Sequence, residues 1–115
     1  MREAVAPLAT ARAGHGVAAL DGKLYAVGGI NDGGFLSSVE RYDPATNAWE
    51  AVAPMAAARN LAAVAVLDGK LYAVSGYGDD GGTLSSVERY DPATNAWEAA
   101  APLTTARVFH AITVA

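Results

Sequence analysis

The chain of 115 residues has no cysteine, two methionines, two histidines and only nine aromatic side chains. Without cysteine it makes no disulfide, no thiolate metal site and no cysteine nucleophile. Eight Lys and Arg against twelve Asp and Glu give a formal charge of −4, and no basic stripe exists to follow a nucleic-acid backbone. The longest apolar run, residues 61–67, is far too short to span a bilayer. The opening MREAVAPLATAR has no apolar segment of the secretory kind, so a cytoplasmic location is expected, with neither membrane nor nucleic acid as partner. Helix signals are missing as well, because Pro and Gly interrupt every segment. Hydrophobic residues make up 52%, yet much of that is alanine, so the core has to be built from small side chains.

What the chain does have is repetition. LSSVERYDPATNAWEA occupies residues 36–51 and recurs unchanged at 84–99, and LDGKLYAV occurs at 20–27 and again at 67–74. Arg12, Arg59 and Arg107 stand 47 and 48 residues apart, each after a proline, an apolar residue and small residues. The extra residue falls near 78–80. A period of this length built from short strand-like pieces signals a repeat architecture, and it outranks any local motif.

Each repeat reads as four antiparallel strands. Asp21-Gly22 and Asp68-Gly69 between apolar runs predict tight hairpins, since both central positions of such a turn need positive φ. The turn Asp43-Pro44-Ala45-Thr46-Asn47 and its copy join the third and fourth strands, with proline presetting φ and aspartate capping its own backbone. Strands are expected at 14–20, 23–29, 35–43 and 48–52, then at 61–67, 70–76, 84–91 and 96–100. Four such strands per unit make one blade of a β-propeller. The predicted layout is a fourth strand of a preceding blade over 1–12, blades at 13–53 and 60–101, and a first strand of a further blade over 107–115.

An apolar strand, a Gly-Gly pair and then a spaced Tyr and Trp resembles the kelch repeat. Here these are Gly28, Gly29, Tyr42 and Trp49, then Gly76, Tyr90 and Trp97, with Ser75 in place of the first glycine of the second pair. The resemblance implies an all-β propeller of six or seven blades, which in most members binds proteins. In some members, such as galactose oxidase and bacterial sialic acid mutarotases, it carries an enzyme site. The copper site of the former needs a cysteine-crosslinked tyrosine, which this chain cannot make. No cofactor or catalytic residue is expected. The glycines let the backbone bend where the second strand ends, and the repeated aromatics suit the wedge between blades. Glu40 and Arg41, with Glu88 and Arg89, read as an ion pair between blades or strands, or as a solvated strand face.

Candidate ligand contacts come from strand direction. The second-to-third loops and the fourth-to-first connections share one side, and there the otherwise near-identical repeats differ: Asn31, Asp32 and Phe35 in one loop, Tyr77, Asp79 and Asp80 in the other. The arginines at 12, 59 and 107 belong to the same side. They either hold the blade junction through loop carbonyls or, as the kelch resemblance implies, contact the carboxylates of an acidic peptide or protein with their planar guanidinium groups. The aspartates lack a calcium-loop signature and read as turn residues, and His15 and His110 lack a partner carboxylate at defined spacing.

Two blades do not close a ring. Leaving roughly 400 Å² of apolar blade face wet forgoes ~10 kcal/mol at ~25 cal/mol/Å², as much as the whole stability of a typical domain. The sequence is therefore expected either to self-assemble, three two-bladed chains forming a six-bladed homotrimer, or to belong to a longer propeller. The near-verbatim duplication favours self-association. In a trimer, residues 1–20 and 96–115 cover one station twice, so one copy is displaced or terminal strands exchange between chains.

Overall fold

The structure, a computed structural model, describes residues 7–8 and 10–101. Arg107, His110 and the strand anticipated over 107–115 lie outside the described residues, as does most of the 1–12 segment. Among the described residues ten strands follow in order: β1 Gly16–Leu20, β2 Lys23–Val27, β3 Ile30–Asn31, β4 Gly34–Phe35, β5 Val39–Asp43, β6 Ala48–Val52, β7 Ala63–Leu67, β8 Lys70–Val74, β9 Val87–Asp91 and β10 Ala96–Ala100. They form two four-stranded antiparallel sheets, β1-β2-β5-β6 and β7-β8-β9-β10, and the short β3-β4 ribbon. These are two propeller blades, and the described residues do not close a ring.

Turn chemistry sets the register. Asp21 and Gly22 have φ of 52° and 77°, Asp68 and Gly69 of 52° and 74°, so each two-residue hairpin takes the left-handed pair whose twist suits its strands. Leu20 is thereby fixed opposite Lys23, and Leu67 opposite Lys70. In the other turn Asp43 accepts the amide of Ala45 at 2.9 Å and Asp91 that of Ala93 at 2.9 Å. Asn47 and Asn95 then carry φ of 51°, and their side-chain carbonyls accept the hydroxyls of Tyr42 and Tyr90 at 2.7 and 2.8 Å.

The third strands are shorter than the sequence suggests. β5 starts at Val39 rather than at Phe35, because Gly28 and Gly29 adopt φ of 64° and 103° and turn the chain out of the ladder. Pairing continues irregularly, with Gly28 N–H donating to Ser38 at 3.0 Å and Leu36 N–H to Gly29 at 2.8 Å. Phe35 belongs instead to the β3-β4 ribbon, opposite Ile30.

The core lies between the blades. Tyr25, Val27 and Val39 of the first blade pack on Leu71, Ala73 and Tyr90 of the second, with the Tyr25 and Tyr90 rings 5.7 Å apart. Each Trp stacks obliquely on its cross-strand Tyr, Tyr42 with Trp49 at 5.4 Å and Tyr90 with Trp97 at 5.3 Å. Two polar bonds seal the seam: the Trp97 indole donates to the Ala53 carbonyl at 2.8 Å, and Ala53 N–H donates to Asn95 at 3.0 Å. The aromatics thus fill the wedge, and the one turn asparagine serves its own tyrosine and the neighbouring blade together.

Candidate functional site

Antiparallel order puts the Asp-Gly hairpins and the 43–47 and 91–95 turns at one end of the blades. The 28–38 and 75–86 loops and the 53–62 connection lie at the other end. The site is built from this second end.

In the first loop Ile30 pairs with Ala13 through two amide bonds of 2.9 Å, and Asn31 accepts Gly33 N–H at 2.9 Å to form the ribbon's turn. Asp32 is exposed at the tip. Residues 11–13 and 30–33 line an open groove there. The second loop, one residue longer, pairs Tyr77 with Asn60 at 3.0 and 2.8 Å. Asp80 accepts Gly82 N–H at 2.8 Å. Asp79 and Asp80 are exposed. Asn31, Asp32 and Phe35 therefore share one loop and Tyr77, Asp79 and Asp80 its counterpart, and two of these polar side chains are engaged in shaping their own turns. Among the described residues, no group of three or more metal-ligating side chains converges.

The arginines turn inward. Arg59 is wholly buried, and its guanidinium donates to the carbonyls of Ser75 and Ser86 at 2.8 and 2.9 Å, to the Ser86 hydroxyl at 2.9 Å, and to the Glu88 carboxylate at 2.9 and 3.3 Å. These bonds take all five of its N–H groups. Glu88 also accepts the amides of Ala56 and Ala57 at 2.7 and 3.2 Å. Arg12 repeats the pattern in the first blade, bonding the Gly28 and Ser38 carbonyls, the Ser38 hydroxyl and Glu40 at 2.7 to 3.1 Å, and its side chain is 0% exposed. For these two the acidic-ligand expectation needs correcting: Arg59 spends all five N–H groups on the chain itself and Arg12 four, and the remaining Nε–H of Arg12 is buried away from solvent. They clip the connection that enters each blade to the third strand of that blade.

The sequence left Glu40 and Arg41 open between several ion-pair readings. The structure separates them: Glu40 faces its blade's arginine clip, while Arg41 points to the other side and pairs with Glu50 across the ladder. Arg89 and Glu98 repeat this pair. The hydroxyl of Tyr25, then Glu50, raises the Arg41 pKa further above its usual range.

Sequence reasoning missed the crowding where the blades' innermost strands meet. Gly14 accepts Leu61 N–H at 2.8 Å, and a Cβ at Gly14 would come within 2.2 Å of Asn60 Oδ1. Leu61 takes φ of 60°. The presence of Gly14 opposite a bulky pair was the only signal, and it has no local pattern. His15 lies beside this contact. Burial, then the charge of Arg12, lowers its pKa from the ordinary 6.5, with Glu40 acting in the opposite sense. Between that lowered value and 6.5 the unfolded chain binds more protons at His15 than the folded chain does. This contribution to stability is complete above about pH 6.5 and shrinks as pH falls. Urea midpoints taken from about pH 7 down to about pH 5.5 should decline less steeply for His15→Gln than for the wild type.

Comparison with known proteins agrees with this geometry. The family model described as the Kelch motif matches residues 11–56 and 58–104. Kelch-like protein 33 of Homo sapiens is 51% identical over 47 residues, 41% of this chain and 9% of that protein. Kelch-like protein 41a of Danio rerio is 46% identical over 46 residues, 40% of this chain and 8% of that protein. The chain thus spans less than a tenth of the length of either relative. The solved structure of YjhT superposes with a TM-score of 0.74 at 20% identity, covering 81% of this chain and 39% of that one, a likeness of fold.

Proposed function

The chain belongs to the kelch-repeat family, and we propose that it is a non-enzymatic propeller module that completes its ring with further copies of itself, three chains to six blades, and meets a protein or peptide on its loop end. The observation that carries this reading is the difference between equivalent leucines: Leu71, covered by the first blade, is 0% exposed, while Leu24 at the same place in the first blade is 41% exposed. Apolar area of this kind adds stability when another blade lies on it.

The non-enzymatic reading is supported by the two buried carboxylates, Glu40 and Glu88, each of which is held by an arginine and by backbone amides rather than presented to solvent. Contacts to a partner would come from Asn31, Asp32 and Phe35 together with Tyr77, Asp79 and Asp80. The exposed charges of these loops are aspartates, so the matching partner surface is not acidic. Light scattering on the eluting wild-type protein should give a three-chain mass. A single-chain mass at every concentration would exclude the self-assembled ring.

A further inference from the structure

We propose that copies of the chain join head to tail, the outer face of the second blade of one copy receiving the outer face of the first blade of the next. The proposal rests on the self-association reading and specifies its interface.

The argument begins with strand alternation. Ladder partners share a face, so each blade has a front and a back. In the first blade, Val17, Leu24 and Tyr42 lie on the front, and Leu20, Tyr25 and Val27 on the back. In the second blade the sequence-equivalent residues divide the same way. Within the chain, the back of the first blade meets the front of the second, which closes the Tyr25–Tyr90 contact. The two faces left over are therefore a front and a back, the same complementary pair.

Exposure follows the neighbour and not the sequence. On the back, Leu20 is 5% exposed where the second blade covers it, whereas its equivalent Leu67 is 38% exposed. On the front, Val17 is 54% exposed, and its equivalent Val64 packs against the core. A second copy placed by the rotation that relates the two blades would bring its Leu24 and Tyr42 onto Tyr72 and Leu67, repeating a junction that this sequence already makes. Front-to-front or back-to-back pairing offers no such match, because the complement of each face is the other one. The interface is heterologous, so assembly continues until the rotation closes a ring.

Leu24→Glu places a charge on the front of the first blade only, and Leu67→Glu on the back of the second only. Both side chains are already solvent-exposed within a single chain, so each variant should fold, as far-UV circular dichroism checks. Val17→Lys serves on the front if Leu24→Glu does not fold. By light scattering, each variant alone should fall from the wild-type mass to that of one 11.7 kDa chain. An equimolar mixture should rise to the mass of two chains and stop there, one intact back holding one intact front. If the wild type associates but each variant alone still pairs, or the mixture stays at one chain, the head-to-tail interface is overturned and self-association survives. If the wild type itself is a single chain, both fall together.

Discussion

Arg59→Ala should cost about 3–5 kcal/mol, the usual penalty for removing one member of a buried ion pair. That takes most of the stability of a protein whose whole margin is roughly 5–15 kcal/mol. The reason lies in what is left behind. Glu88, 6% exposed, would lose its cation, and the Ser75 and Ser86 carbonyls would each lose a donor that water cannot readily replace. Arg59 also joins the two blades. Its own backbone belongs to the first, where its amide donates to Leu36 at 3.0 Å and its carbonyl accepts from Gly29 at 2.7 Å, while its side chain reaches into the second. Arg59→Lys retains the charge but not the planar fork, and should recover only part of the loss. Urea denaturation followed by tryptophan fluorescence reports this directly, since Trp97 lies in the same seam. An unchanged midpoint together with lost peptide binding would restore the ligand-contact reading of this arginine.

How legible these features were depends on whether their cause is local. The hairpins were plain because Asp21-Gly22 and the 43–47 turn carry their conformation in their own residues. The wedge-filling aromatics could be read because Tyr42 and Trp49 recur in an unchanged string. The arginine clip was less accessible, because Arg12 and Glu40 are 28 residues apart and Arg59 and Glu88 29, too far for any pattern of strand or turn. One trace existed. The separation grows by one residue between repeats, matching the insertion in the 77–83 loop, as expected if arginine and glutamate are both fixed to the same blade. The late start of β5 was hidden for a different reason: residues 35–38 are as strand-like as their neighbours, and the glycines that divert them pair across the ladder rather than along the chain.

Those glycines give the second large effect. Gly28→Ala should destabilise the protein by about 3 kcal/mol, combining left-handed strain of roughly 1–2 kcal/mol with the loss of a buried backbone hydrogen bond. Gly28 has φ of 64°, and a Cβ there would stand 2.5 Å from the Arg59 carbonyl oxygen and 3.2 Å from that of Leu36. Both obstacles are backbone, so no side-chain rotation relieves them. The displaced oxygen is the one that accepts Gly29 N–H, and the clash therefore opens the junction that Arg59 holds. The second blade provides the control. Ser75 occupies the equivalent position at φ of 61°, fully buried, with its hydroxyl donating to the Leu84 carbonyl at 2.8 Å. There the strain of a side chain is offset by a hydrogen bond, so Ser75→Gly trades one for the other and should stay within about 1 kcal/mol of the wild type. Two substitutions at one structural position are thus expected to differ severalfold in cost. Urea midpoints for the pair decide the point, and a Gly28→Ala protein as stable as the wild type would show that steric closure at this carbonyl does not hold the blades together.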